Sequence, residues 1–346
     1  MVSQPTVISL FSGCGGSSLG YKWAGYRELL AIDFDQNSVD TFRLNFPDVP
    51  CWQRDIREVT GQEILDFCKI KKGDLDLLDG SPPCQGFSTA GKRKVTDPRN
   101  DLFREYVRLI NDLGPKVFVM ENVSGMAKGT MKGIFNEALR EFRGCGYQVK
   151  CKLMNAKWYG VPQSRERVIF IGAKDGEPSF PKPTGKVISV REALGLDGIM
   201  ATRSKKINPW MDQRGGGATI CKMSAGYEAL VNTADELKES ALRPTWQSYR
   251  VLRGKEKKKH FSLVQIKGGV ASPTITKDAG NTSTGMIHPY EIRKLTIAEI
   301  KRLSSFPDEF KLIGSFHEKW ARIGNAVMPK FMEAIASHIK ETILQS

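Results

Sequence analysis

The chain has no Cys-x-x-Cys pair, and its seven cysteines (14, 51, 68, 84, 145, 151 and 221) and four histidines (260, 288, 317 and 338) are scattered. Such spacing excludes a disulfide framework and offers no zinc-ligand pattern, so reduced thiols and no bound metal are expected. No apolar run approaches the roughly 18 residues that a membrane helix needs. The opening Met-Val-Ser-Gln-Pro-Thr has neither the charged region nor the apolar stretch of a secretory signal. Internal repeats and low-complexity tracts are lacking too. Together these absences predict a cytoplasmic protein with no membrane partner. Negative charge is also in short supply: 38 Asp and Glu stand against 52 Lys and Arg, a net charge of +14. That balance points to a polyanionic partner, nucleic acid above all. With 346 residues, 40% of them hydrophobic, the chain is long enough for a full core and for two domains.

What the sequence does carry converges on Asp79-Gly80-Ser81-Pro82-Pro83-Cys84-Gln85-Gly86-Phe87-Ser88, which follows an apolar run over 73–78 that reads as a short buried strand. Two prolines and the flanking glycines stop regular structure there. Cys84 is therefore expected on a stiff loop at a strand's carboxyl end, where open α/β sheets place their chemistry. A buried, inert thiol is the alternative.

Upstream, Val7-Ile-Ser-Leu-Phe11 is a β-rich run leading into Ser12-Gly-Cys-Gly-Gly-Ser-Ser-Leu-Gly20 and a helical stretch. Strand, glycine turn and helix make the first unit of a nucleotide-binding sheet, although Ser18 stands where the dinucleotide fingerprint has its third glycine. The second strand, Leu29–Asp33, ends in a carboxylate 20 residues after Gly13, suited to ribose hydroxyls, and Asp55-Ile56 follows as a third site. In register, these three features predict a bound nucleoside.

Downstream, Leu102, Tyr106, Leu109, Ile110 and Leu113 share one helical face, and helices are also expected over 130–142 and from Thr296, whose capping box is completed by Glu299. The strand over 116–123 contains Glu121, an acid costly to bury without a partner; it reads as functional, with a structural ion pair as the alternative. Further strands are expected over 147–154 and 168–172. Before the latter, Gln163, Arg165 and Arg167 alternate, which puts both arginines on one face if the segment is extended. The proline-rich residues 177–183 read as a linker. Residues 181–290 then carry 18 Lys and Arg against 9 Asp and Glu, the net +9 of a recognition region built of loops and short strands. In the closing helix Phe331, Ile335, Ile339 and Ile343 repeat every four residues, a packing face.

Pro-Pro-Cys-Gln-Gly-Phe-Ser resembles the nucleophile loop of the DNA (cytosine-5) methyltransferases. Phe11-Ser-Gly-Cys-Gly-Gly16 is similar to their S-adenosylmethionine motif, Glu121-Asn-Val to a further catalytic signature, and Gln163-x-Arg-x-Arg167 to the next. Trp320-Ala-Arg-Ile-Gly-Asn-Ala-Val-Met-Pro329 resembles the last motif, with Arg322 for the usual Gln and Met328 for a Pro. Ser9 replaces a frequent Asp, and Ser304-Ser305 stand where Gln-Gly is usual. The matching motifs run in the family's order through 7–172 and 291–329. The resemblance implies an α/β fold: a Rossmann-like methyltransferase sheet with helices on both faces, plus a smaller, loop-rich target recognition domain. It divides the chain into 1–180 (catalytic and cofactor-binding), 181–290 (recognition) and 291–346, returning to the catalytic domain. It implies Cys84, Glu121, Arg165, Arg167, Gln85 and Ser88 as catalytic residues, with Arg165 on the cytosine O2. For S-adenosylmethionine it implies Phe11, Gly13, Cys14, Gly15, Gly16, Asp33 (ribose), Phe34 (adenine face), Asp55 and Ile56 (adenine edge), Pro83, Leu102, Asn325 and Ala326. The polar segment Lys92–Asn100 closes over DNA in the family.

The function so implied is methylation of C5 of a flipped cytosine in duplex DNA by a monomer, with a cognate restriction endonuclease acting on the same site as a further partner. A tRNA cytosine methyltransferase, a non-catalytic DNA-binding relative and a nicotinamide oxidoreductase are the alternatives. The RNA-acting branch carries a Cys-Phe-Thr triplet that this chain lacks. A non-catalytic relative predicts loss of Cys84, Glu121 or Arg165, all present, and an oxidoreductase leaves Pro-Pro-Cys-Gln unexplained.

Overall fold

The computed structural model describes residues 4–83, 101–127, 132–196, 263–277, 285–290 and 294–345. The chain forms two compact units. One comprises Met1–Tyr159, Glu166–Thr184 and Ala326–Ser346, the other Gly160–Arg165 and Gly185–Asn325.

The first unit begins with alternating strands and helices: β1 (Thr6–Leu10), α1 (Gly16–Trp23), β2 (Arg27–Asp33), α2 (Gln36–Asn45), β3 (Cys51–Gln53), α3 (Gly61–Cys68), β4 (Leu77–Gly80), α4 (Asp101–Leu113), β5 (Val117–Val123) and α5 (Lys132–Gly144). The antiparallel strands β6 (Gln148–Asn155) and β7 (Glu166–Ala173) complete a mixed seven-stranded sheet of order β3-β2-β1-β4-β5-β7-β6. β1 to β5 are parallel, as their helical connections require. The order reverses between β1 and β4, so the crevice at the carboxyl ends of these two strands is the switch point where open α/β sheets bind ligands. The Rossmann-like sheet expected from the sequence is therefore present.

In the second unit the described elements are α6 (Val190–Leu194), the short parallel pair β8 (Leu263–Gln265) and β9 (Gly285–Ile287), α7 (Ile297–Leu303) and α8 (Phe316–Asn325). Thr296 and Glu299 close the expected capping box on α7, at 2.7 and 3.2 Å. Trp320 is buried, and its indole Nε1 donates to the Thr276 carbonyl at 3.0 Å.

The chain returns to the first unit through α9 (Pro329–Ile339), whose Phe331, Ile335 and Ile339 are buried as their four-residue spacing predicts, whereas Ile343 lies beyond the end of α9 and is half-buried. α9 lies against α1, and the two backbones meet at Gly20: a Cβ there would come within 2.7 Å of the Met332 Cβ and of the Pro329 carbonyl oxygen. The Tyr26 hydroxyl donates to the Ala336 carbonyl at 3.0 Å beside this contact.

Two sequence expectations shift. β4 starts at Leu77 rather than near 73, because Asp74 closes a turn onto Lys71 and the Asp76 carboxylate is engaged by the Thr6 amide and Lys116. β7 starts at Glu166, so Gln163 and Arg165 precede the strand and the two arginines do not share a strand face.

Gly20→Ala should destabilise the protein by about 1–3 kcal/mol, the cost of overpacking against backbone that cannot move aside. Gly144→Ala, where the added methyl meets nothing within 4 Å, is the control expected to be neutral or slightly stabilising. Urea denaturation of both variants measures the difference.

Candidate active site

β1 runs into a turn made possible by left-handed backbone. Gly13 has φ +56° and Gly15 φ +93°, and Gly15 caps α1. A Cβ on Gly15 would strike the Phe46 ring at 2.4 Å, and one on Gly16 would fall 2.2 Å from the Val327 carbonyl oxygen and 3.1 Å from the Ala326 Cβ. Gly13 meets nothing within 4 Å on its Cβ side, leaving its backbone open to a ligand. Phe11 also adopts φ +56°, a strained conformation for an aromatic residue of the kind that collects at ligand sites. Sequence pattern carries no signal for that strain. Cys14 is buried beneath the turn.

The turn is fixed from β2. One Asp33 carboxylate oxygen accepts from the Gly13 amide at 2.8 Å and the other from the Asp35 amide at 2.9 Å. The next ring, Phe34, is 72% exposed, an aromatic face presented at the end of β2. Beyond β3, Asp55 caps the 3₁₀ turn Ile56–Glu58 and pairs with Arg57, whose hydrogen bonds hold its carboxyl below the usual range, while Ile56 is buried. Leu102 is half-buried against the core on α4, and Pro83 is partly exposed at the end of the described β4 loop. These residues fit a nucleoside with a charged tail: open glycine backbone, a carboxylate and an uncovered ring lie at the carboxyl ends of adjacent strands. Ala326 covers Gly16 in this unit, whereas Asn325 ends α8 in the other.

The second half of the crevice is built on β4 and β5. Glu121 is buried on β5, and its Oε1 lies 2.6 Å from the Arg167 Nε, with side-chain exposures of 10% and 12%. Sheet register produces this pair: Glu121 is opposite Ile169 and Val123 opposite Arg167, so acid and guanidinium are diagonal neighbours on one face. The adjoining Asn122 amide donates to the Pro82 carbonyl at 3.2 Å, joining β5 to the proline turn after β4. That role for Asn122 was not assigned from the sequence; the Glu-Asn-Val triplet was its only signal. Cys84, Gln85 and Ser88, and the segment Lys92–Asn100, lie outside the described residues.

Arg165 belongs to the second unit. It is 2% exposed, and its guanidinium donates to the carbonyls of Ile275 and Gly324, each at 3.0 Å. Gln163 beside it is fully buried, accepting from the Ile275 amide at 3.1 Å and donating to the Ser304 hydroxyl at 3.1 Å.

A family model for C-5 cytosine-specific DNA methylase matches residues 5–341. The chain belongs to this family. As a member it is an enzyme of the DNA (cytosine-5-)-methyltransferase class. It is 34% identical over 349 residues to the type II methyltransferase M1.HphI of Haemophilus parahaemolyticus, covering 96% of this chain and 86% of that one. With M.NgoPII of Neisseria gonorrhoeae it shares 32% over 348 residues, 97% and 96% of the two chains. Among solved structures, a protein assigned as a DNA modification methyltransferase encoded within an E. coli prophage superposes with a TM-score of 0.71 at 26% identity, over 99% of this chain and 100% of that one. The S. pombe Dnmt2 methyltransferase shares the fold, with a TM-score of 0.67 at 18% identity over 98% and 99% of the two chains. No helix among the described residues is long and apolar enough to cross a membrane.

The methylase's buried acid–guanidinium pair predicts strong coupling. Arg167→Ala should cost about 3–5 kcal/mol, because it leaves a buried carboxylate without its cation. Adding Glu121→Gln to it should restore part of that loss. A double-mutant cycle in urea measures the coupling, and additive losses would mean that the pair is not formed in solution.

Proposed function

We propose that this methylase transfers a methyl group from S-adenosylmethionine to C5 of a cytosine flipped out of duplex DNA, through a bond between the Cys84 sulfur and C6. The observation that carries the reading is the buried Glu121–Arg167 pair, tied through Asn122 to the proline turn that leads into Cys84.

C5 is a poor nucleophile until the ring is activated. The Cys84 thiolate adds to C6, and the displaced electron pair makes C5 enamine-like while charge reaches N3. Glu121, ion-paired with Arg167 in the free protein, relays a proton from solvent to N3 when the base is bound and accepts from the exocyclic amine. Arg167, the guanidinium beside Glu121, is the group we place on the cytosine O2, and its charge favours an ionised thiol nearby. The resemblance alone gave that contact to Arg165, but the Arg165 guanidinium is engaged by two carbonyls, and we assign it to holding the second unit's backbone in place. Gln85 and Ser88 support the cysteine loop. S-adenosylmethionine, when bound, supplies a methyl group on an electrophilic sulfonium. Gly13, Gly15 and Gly16 leave room for its tail, Asp33 takes the ribose hydroxyls, Phe34 stacks on the adenine, Asp55 and Ile56 meet the adenine edge, and Phe11, Cys14, Pro83, Leu102 and Ala326 line the remainder. Loss of the C5 proton then expels the cysteine. Because C6 is stacked inside a duplex, the base must leave the helix, at a cost of a few kcal/mol.

We assign target recognition to residues 181–290, which supply +9 of the net charge and so the phosphate contacts, and cofactor binding and catalysis to 1–180 with the returning C-terminal segment. We assign to the enzyme a single short site shared with a cognate restriction endonuclease, in keeping with the type II designation of its relatives, and we take it to act as a monomer.

Bisulfite sequencing of DNA from cells expressing the chain should show one methylated short site, with tRNA from the same cells unmethylated at cytosine. A duplex carrying 5-fluorocytosine at that site should form a denaturant-resistant complex, since fluorine cannot leave as a cation. Peptide mapping should place the link on Cys84, and Cys84→Ser should abolish it. Methylation of the normal duplex without such a complex would refute the covalent route, and a link at another cysteine would refute the site.

A further inference from the structure

The strand that precedes Cys84 in the sequence carries a buried acid that the methyl-transfer mechanism does not use. Asp79 is 1% exposed on β4, five residues before Cys84. It is in register with Ser9 of β1, so the two side chains share the sheet face covered by α1. From α1 the Tyr21 hydroxyl donates to Asp79 Oδ1 at 3.1 Å, and the Ser17 hydroxyl bears electrostatically on the same carboxyl. On the opposite face Gly80 is pressed against the Tyr106 ring, which a Cβ would meet at 2.4 Å. The Tyr106 hydroxyl lies 3.1 Å from the Leu78 carbonyl oxygen and 2.9 Å from that of Val119. The end of β4 is thus gripped between two buried tyrosines, through a ring on one side and a carboxyl group on the other.

The titratable groups that act on Asp79 are Tyr21 of α1, Glu28 of β2, Tyr106 of α4 and Glu121 of β5, and none of these supplies positive charge. Arg167, the cation on this part of the sheet, is taken by Glu121. Glu28, bonded by the Ser18 hydroxyl at 2.8 Å, is a second carboxyl in the same polar layer. The Ser9 hydroxyl, on the face of Asp79, is buried and closes no well-formed hydrogen bond, although its dipole bears on Glu28. Burial therefore pushes the Asp79 carboxyl up to about 8, and partial burial that of Glu28 up to about 7.

We propose that Asp79 is a positioning residue for methyl transfer: its carboxyl group, buried and gripped by the Tyr21 hydroxyl, fixes the end of β4 from which the chain runs on to Cys84, and negative charge on it loosens that end. The consequence runs against thiol chemistry. Raising the pH toward the ordinary thiol value near 8.5 produces more Cys84 thiolate and should speed attack. An unpaired buried carboxylate forming over the same range should slow it. The alkaline limb of the rate profile therefore belongs to Asp79.

The stability sign is equally definite. The folded protein keeps the Asp79 proton between about 4, where the unfolded chain loses it, and about 8. The stability from this group is complete below the unfolded value and disappears as pH rises through the folded one.

The test compares wild type with Asp79→Asn, which has the shape and hydrogen-bonding capacity of the neutral acid. The kinetic arm rests on the methyl-transfer reading; the thermal arm does not. Single-turnover methylation of the target duplex from pH 6.5 to 9.5 should fall above about pH 8 in wild type and show no such fall in the variant. Wild-type Tm should drop relative to the variant between pH 5 and 9. Tyr21→Phe, which removes a donor that favours the ionised carboxyl, should move the alkaline limb to higher pH. An identical alkaline limb in wild type and Asp79→Asn overturns the proposal, as does a Tm difference that does not change with pH. Failure of every form to methylate any DNA, with the Tm divergence present, counts against the methyl-transfer reading and leaves the Asp79 proton supported.

Discussion

A carboxylate buried at the mouth of a sheet must have a cation within reach, and the first unit is arranged around that requirement. Glu121 sits where β5 ends, at the crevice, with its side chain only 10% exposed, so that solvent does little to stabilise its charge. Arg167 meets the need because β7 runs antiparallel to β5 in a register that places the guanidinium diagonally across from the acid. A one-residue slip of β7 would turn Arg167 to the other face and leave Glu121 bare. The antiparallel strand thus does more than extend the sheet: it fixes the electrostatics of the crevice that the parallel strands create.

The same economy appears on the cofactor side. Asp33 holds the glycine turn through the Gly13 amide, so the residue suited to ribose hydroxyls also shapes the backbone that approaches the ligand. Gly16 lets the Ala326–Val327 segment lie on the start of α1, and Gly20 lets α9 close on the rest of that helix. The C-terminal segment therefore stabilises the first unit through backbone approach, which explains how a chain can leave for more than a hundred residues and return to complete the same core.

Much of this was legible in the sequence, for identifiable reasons. Short β-rich runs, a glycine turn and acids at strand ends are local signals, and they gave β1, β2 and β5 with Asp33 and Glu121 in place. The Thr296–Glu299 capping box and the four-residue spacing in α9 are local as well. What stayed hidden depends on partners distant in sequence. The start of β4 is set by its ladder with β1 and by Asp76, whose carboxylate is engaged by Thr6 and Lys116, and the apolar run over 73–78 cannot report those partners. The alternation of Arg165 and Arg167 suggested one shared face, but β7 begins only at Glu166, and the Arg165 guanidinium is engaged by carbonyls more than a hundred residues away in sequence.

Two alternatives offered for single residues turn out to be compatible rather than competing. Glu121 could be a functional acid or half of a structural ion pair, and the geometry makes it an ion-paired acid placed at the crevice. In the proposed mechanism the ion pair at this position is itself a functional device. It keeps a carboxyl group in a site too dry to hold it alone, and it brings along a guanidinium whose remaining N–H groups can face a flat, carbonyl-bearing ligand. Asp79 is the contrasting case on the neighbouring strand: an acid bonded by the Tyr21 hydroxyl, whose burial pushes it toward its neutral form. The two acids on this crevice wall thus differ in having or lacking a guanidinium at hydrogen-bonding distance, a difference that suits Glu121, in the proposed mechanism, to exchange charge with a ligand and Asp79 to serve as a fixed hydrogen-bonding post.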